Sequence, residues 1–365
     1  MIVMTSAEKE LEVGPLALNE GFKLRSRFNL LMAVLISGVF VADLVLTNLK
    51  QLSGGFSQIP NLCFSITMLV ILHLYSKWRS LPRFQHVCML AVWAVIITNV
   101  LTILILLAGR SSAPLIDGNL ARIDAALHFS TGSVVQKIAL FPKLQTAFSI
   151  LYQALTPLIL LSVFVPPLCG REKESQRYVL SIMIAAIITA AAFALWPAAG
   201  PWMVFGFTPT RDQADVQTYL VSVLKSSAPA QVDSRSIGVV SFPSFHVVLA
   251  LLSAIALWNV RRIRYVVVVI AAGICISTLT TGWHYLIDVV GGVTVVLASH
   301  ALAVWMMTAV DRAVGTPRFQ SRNGEPLNFL ASHPSVNESL LIAVDTLPLR
   351  TFRKKVGQGR IRRIK

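Results

Sequence analysis

Apolar residues arrive in eight long runs separated by short polar breaks, at about 28–47, 59–76, 86–108, 145–168, 178–196, 243–259, 263–281 and 284–308. Each approaches or exceeds the ~20 residues that carry an α-helix across the hydrocarbon of a bilayer. No soluble domain fits between them. The pattern predicts an all-α, polytopic integral membrane helix bundle of about eight transmembrane helices. It divides into an N-terminal segment over 1–27, a transmembrane domain over 28–309 and a basic tail over 310–365, with prolines 317, 326, 334 and 348 marking irregular chain. Two stretches between the runs repeat apolar residues at helical spacing: Val216, Tyr219, Leu220, Val223 and Leu224 within 211–228, and Leu120, Ile123 and Leu127 within 117–129. Short helices lying on the bilayer surface, as a rim for a lipid headgroup, and short helices capping the bundle both have this period.

Composition agrees with the pattern: 55% of residues are hydrophobic, 13% are charged and the mean hydropathy is +0.68. The net charge of +15 points away from nucleic acid once its placement is considered. Assigning Lys and Arg to alternate sides of the runs puts 24 on the side with both termini and 8 on the other. Each connection on the first side is basic: Lys77, Arg79 and Arg83; Arg171, Lys173 and Arg177; Arg261, Arg262 and Arg264. This is the positive-inside distribution, and it predicts an even number of spans with both termini cytoplasmic. The tail, with Arg350, Arg353, Lys354, Lys355, Arg360, Arg362, Arg363 and Lys365, reads as solvated chain or as a segment drawn to anionic headgroups. Residues 1–27 are polar and mixed in charge, so no cleavable signal is expected. Cys63, Cys88, Cys169 and Cys275 are scattered without metal-like spacing. Trp196, Trp202 and Trp283 stand at run ends, where interfacial belt residues are expected, and Asp43 within the first run calls for a partner helix or a place in a proton path.

The candidate chemistry lies in two short stretches, Phe-Pro-Ser-Phe-His at 242–246 and Gly-Trp-His-Tyr-Leu-Ile-Asp at 282–288. The charge pattern puts both on the non-cytoplasmic side, at the mouths of the sixth and eighth runs. His284 and Asp288 are four apart, a helical spacing that lets the carboxylate hold one ring nitrogen while the other faces a substrate. Pro243 is expected to open a helix, leaving Ser244, Phe245 and His246 in a first turn whose free N–H groups favour an anion such as phosphate. Phosphoryl transfer through a phosphohistidine needs these parts: His284 as nucleophile, Asp288 orienting it, His246 as acid to the leaving oxygen and Ser244 as a hydroxyl donor. Taken singly, P-S-F-H also reads as a helix cap and H-x3-D as a buried pair.

At these residues the chain resembles the type 2 phosphatidic acid phosphatase superfamily of membrane lipid phosphatases and phosphotransferases, whose motifs are K-x6-R-P, P-S-G-H and S-R-x5-H-x3-D. The second motif is matched at 243–246 with Phe245 for Gly; the third is matched by Ser277, His284 and Asp288, with Thr278 where Arg is expected; the first is absent. The branch containing inositol phosphorylceramide synthases is similar in its F-P-S-x-H and H-Y-x-x-D motifs and in lacking that Arg. Its Pro-Ala-rich segment is similar to Pro197-Ala198-Ala199-Gly200-Pro201-Trp202, and its acidic helix ending in Leu-Gly to Arg122–His128, with His128 for Gly. The resemblance covers about 115–300. It implies a catalytic transmembrane domain that is a metal-independent lipid phosphatase or headgroup phosphotransferase, with no cofactor. Its substrate would be a phospholipid or an isoprenoid- or sphingolipid-type lipid phosphate. The site would face the outside of a bacterial inner membrane, or the lumen of a secretory-pathway membrane in a eukaryote.

The missing Arg leaves the charge of a phosphoryl group in transfer to another cation. Arg110, Arg122, Lys137, Lys143, Arg211, Lys225 and Arg235 lie on the expected side, and Arg235 and Arg211 are the preferred substrate-binding candidates. Without such a cation the chain would be a slow hydrolase, favour transfer to an alcohol, or be inactive. The alternative to an enzyme is a non-catalytic membrane protein or lipid transporter on the same fold. The scarcity of charged residues within the runs, where Asp43 and Asp288 are the acidic ones, counts against an ion-coupled carrier.

Overall fold

The computed structural model describes residues 15–50, 59–109, 113–225 and 240–313. Among them every regular element is an α-helix: α1 (Pro15–Lys50), α2 (Ile59–Trp78), α3 (Pro82–Gly109), α4 (Asp117–Ala126), α5 (Thr131–Ala139), α6 (Pro142–Gln153), α7 (Leu155–Leu168), α8 (Glu172–Leu195), α9 (Trp202–Phe205), α10 (Arg211–Lys225), α11 (Phe245–Leu257), α12 (Arg264–Thr280) and α13 (Leu286–Ala313). Five stretches are long and apolar enough to cross a membrane: Arg27–Leu46, Pro82–Gly109, Pro142–Leu168, Glu172–Leu195 and Leu286–Arg312. The runs near 243–259 and 263–281 form shorter apolar helices, Phe245–Leu257 and Arg264–Thr280, and the run near 59–76 lies in α2. The chain is therefore a helical membrane protein.

Apolar residues cover the helices on all sides, so the buried and exposed faces differ little in hydrophobicity, as in a membrane bundle. Leu30, Val269, Leu297 and Trp305 are exposed, while Met32, Leu90, Leu180, Met183, Val248, Leu252 and Ala303 make a core shared by α1, α3, α8, α11 and α13. With oily surroundings both inside and out, hydroxyls add specificity to helix contacts. Tyr178 and Ser253 bond across α8 and α11 at 2.8 Å, and Ser175 Oγ donates to the Ser162 and Val163 carbonyls at 3.1 and 3.2 Å. Asp43 is buried, and neither of its carboxylate oxygens has a hydrogen-bond partner among the described residues.

Of the two short helices expected in the connections, α10 buries the expected apolar face and α4 does not. Tyr219 and Leu220 of α10 pack on Ile105, Leu106 and Phe193, so this helix caps the bundle. In α4 the inward face carries Asp117, Leu120, Ala121 and Asp124, whereas Ile123 and Leu127 are exposed. The expected apolar stripe is thus replaced by one with two carboxylates, because N–H groups from neighbouring elements await acceptors there. His128 follows α4 at φ +56°, a left-handed conformation that glycine adopts without steric cost.

Candidate active site

Each histidine is placed by local hydrogen bonding. Ser244 is the N-cap of α11, its Oγ accepting from Val247 N at 3.4 Å, so the helix starts at Phe245 and Pro243 stands before the cap rather than in the first turn. His246 follows one residue into α11. His284 lies in extended chain two residues ahead of α13, not on the helix, so its pairing with Asp288 does not come from helical stacking. Instead Asp288, in the first turn of α13, reaches back. Its Oδ2 accepts from Tyr285 N at 2.9 Å and from Ser241 Oγ at 3.1 Å, and stands 3.4 Å from His284 Nδ1. The closer partner of Nδ1 is the Ser241 carbonyl, at 2.9 Å. A carbonyl can only accept, so Nδ1 carries the proton and the lone pair is left on Nε2. Burial pushes the His284 imidazole down to about 4, with the Ser241 bond acting in the other direction. The ring is neutral at pH 7.

A further backbone bond, Ser244 N to the Asp288 carbonyl at 3.0 Å, ties the start of α11 to the first turn of α13. The two histidine rings consequently face each other with centroids 6.0 Å apart. Both line a cavity of about 200 Å³ with Tyr152, Trp202, Ser241, Phe245 and Trp283. Tyr152 stacks on His246 at 4.4 Å and on Trp283 at 5.9 Å, and its hydroxyl is 3.4 Å from His246 Nδ1. Of the three tryptophans expected as belt residues, Trp202 and Trp283 are walls of this cavity.

The loop carrying His284 is clamped from several elements. Asp124 accepts from Leu286 N at 2.7 Å and Ile287 N at 2.9 Å, satisfying orphan donors at the N-terminus of α13. Asp117 accepts from Ala199 N and Gly200 N, at 2.9 and 2.8 Å, and from the Tyr285 hydroxyl at 3.2 Å. Burial raises both carboxyls above the ordinary range, and the N–H donors pull them back down. Gly200 sits at φ +129°, where a Cβ would stand 2.5 Å from the Trp202 ring, so the Pro-Ala segment can close over the cavity only with glycine here. Thr131 Oγ1 donates to the His284 carbonyl at 3.3 Å, and Gln213 Nε2 to the Thr281 carbonyl at 3.0 Å.

Of the candidate site residues, His284, Asp288, His246 and Phe245 are brought together, while Ser244 serves as a buried cap behind the cavity wall. Arg211 is exposed at the start of α10 and is not among the residues that line the cavity. Arg122, Lys137 and Lys143 are exposed too, and Arg110 and Arg235 lie outside the described residues. Tyr152, Ser241, Tyr285 and Asp117 were not singled out in the sequence. Ser241 and Tyr285 adjoin the two motifs without a spacing that gives them a role, and no short-range spacing connects Tyr152 or Asp117 to the histidines.

The PAP2 superfamily model matches residues 118–302, which hold the site residues described above except Asp117 and leave out α1 to α3. No curated protein and no solved structure matches the chain.

Proposed function

The chain belongs to the PAP2 superfamily, a family of phosphatase-type phosphoesterases, and from that membership we propose that it cleaves a lipid phosphoester through a metal-independent histidine mechanism. The observation that carries this reading is the pair of histidine rings facing each other across one cavity, with the Nδ1 of His284 anchored. In the proposed reaction the Nε2 lone pair of His284 attacks phosphorus and the bond to the leaving oxygen breaks. That oxygen takes a proton from His246, whose protonation the anionic substrate favours. Asp288 and the Ser241 carbonyl hold the Nδ1 proton and offset positive charge on the ring as the P–N bond forms. Water or a lipid hydroxyl then attacks the phosphohistidine and returns a proton to His246.

Transfer to a lipid hydroxyl, the inositol phosphorylceramide synthase type of reaction, is favoured by one feature. Among the described residues no Lys or Arg lines the cavity, and its walls are largely aromatic and apolar. A singly charged phosphodiester needs less charge compensation than a dianionic monoester, and a headgroup ring can stack on Tyr152 or Trp283. The test is incubation of the purified protein with labelled phospholipids, with and without inositol- or ceramide-type partners. Free phosphate marks a phosphatase and a new headgroup-bearing lipid marks a transferase; neither product, from folded protein over a broad lipid panel, would refute the reading.

A further inference from the structure

A second and larger cavity lies at the other end of the same helices. Gly291 and Gly292 let α13 approach α11 closely beside the histidines: a Cβ on Gly292 would stand 2.7 Å from the Ser244 carbonyl oxygen. Beyond these glycines the residues facing α11 become Val293, Val296 and Leu297, and the helices leave a groove of about 530 Å³ between α8, α11, α12 and α13. That volume falls within the ~300–1,000 Å³ of small-molecule sites. His300 and Asn259, at its far end, are 14 residues from Leu286 and 13 from His246, so at 1.5 Å per residue the end is about 20 Å from the catalytic rings. The groove belongs to a different site.

Its chemistry changes along its length. The walls are aliphatic, and Ile255, Val268, Val293 and Leu297 are each more than a third exposed on helices otherwise built for a membrane. The groove is therefore open sideways, to where acyl chains lie. The far end is polar and cationic. Arg177 gives one guanidinium nitrogen to Glu174 at 3.1 Å, yet its buried Nε has no hydrogen-bond partner among the described residues. Asn259 occupies the other Glu174 oxygen at 3.1 Å, so Glu174 is already committed to two donors. The connection that supplies Trp258 and Asn259 continues into Arg261, Arg262 and Arg264. Arg177 lines the groove, and the Arg264 guanidinium lies 5.6 Å over the ring of Trp258, another lining residue, so two cations adjoin the one lining glutamate, Glu174, above an apolar slot. An anionic amphiphile complements this arrangement in both charge and polarity.

We propose that this groove binds one anionic glycerophospholipid, with an acyl chain between α11 and α13 and its headgroup phosphate on Arg177 and the arginines of the α11–α12 connection. The positive-inside distribution places that end at the cytoplasmic leaflet, opposite the proposed active site. The lipid would be a resident ligand bracing the far ends of the two histidine-bearing elements, not a substrate.

The experiment uses the full chain in detergent, exchanged into micelles doped with phosphatidylglycerol, phosphatidylcholine or inorganic phosphate, with retention read by native mass spectrometry. One phosphatidylglycerol should be retained in preference to phosphatidylcholine. Arg177→Gln should lower that retention about tenfold, the loss expected for one charge-assisted hydrogen bond. Arg177→Lys should recover part of it, and Val293→Trp, which fills the slot without touching charge, should also displace the lipid. Equal retention of the two lipids, equal protection by inorganic phosphate alone, or wild-type retention by both Arg177→Gln and Val293→Trp would each overturn the proposal. Retention is measured without turnover, so a failed catalytic reading leaves the result interpretable.

Discussion

The contact that most directly sets the spacing of the two histidines is the approach of Gly292 to the start of α11, and Gly292→Ala perturbs it with one methyl group. The added Cβ would meet the Ser244 carbonyl oxygen at 2.7 Å and Val247 Cβ at 3.1 Å. Ordinary C···O contacts begin at about 3.3 Å, so α13 must retreat by roughly 0.6 Å. Ala is favoured over Gly in a helix by about 0.8–1.0 kcal/mol, whereas overpacking costs about 1–3 kcal/mol, so the net change in stability is a loss of about 0–2 kcal/mol. The effect on rate is larger than the effect on stability. A 1 Å misplacement of reacting groups costs about 10²-fold, and a shift of roughly 0.6 Å therefore about tenfold. Turnover of a labelled lipid phosphate in nanodiscs, paired with a thermal melt, measures both. Gly291→Ala is the control, because its Cβ would meet the Phe242 ring edge and Pro243 Cβ, each at 3.1 Å, a milder approach than 2.7 Å onto a main-chain oxygen. Wild-type turnover in Gly292→Ala, or equal losses in the two variants, would refute the argument that this contact holds the site together.

Three further outcomes follow from the geometry. Asp124→Ala leaves the Leu286 and Ile287 N–H groups without their acceptor, and should lower stability by about 1–3 kcal/mol in a detergent melt, with Asp124→Asn losing less. Because burial holds the His284 imidazole at about 4, its lone pair stays free as pH falls from 7, and kcat/KM should keep its acid limb near 4; a limb near 6.5 would mean a solvated ring. Turnover should survive EDTA, and loss restored by a divalent cation would replace the metal-free mechanism.

Much of the helical layout was readable because a membrane span is a long, one-letter signal: the runs near 86–108 and 145–168 fall within the observed stretches Pro82–Gly109 and Pro142–Leu168, and the run near 178–196 ends one residue past Glu172–Leu195. The histidine motifs were readable because each is contiguous. What was hidden is what depends on distant partners. Ser241 outranks Asp288 as the partner of His284 Nδ1 through its carbonyl oxygen, and a main-chain acceptor has no residue code. The spacing of Leu120, Ile123 and Leu127 said nothing of Asp117 and Asp124, and only the N–H groups at Ala199, Gly200, Leu286 and Ile287 explain why they point inward. Trp202 and Trp283 stand where interfacial residues are common, so position alone could not separate a belt from a cavity wall.

The central claim is that His284 becomes phosphorylated across from His246, and trapping that adduct tests it most directly. The His246→Ala protein, quenched during turnover of a phosphorus-labelled lipid with a good leaving group, should carry an acid-labile, alkali-stable phosphoryl group that maps to His284. The His284→Ala protein, folded by its melt, should carry none and turn over negligibly. A His284→Ala protein with near-normal activity, or label on any other residue, would contradict the account.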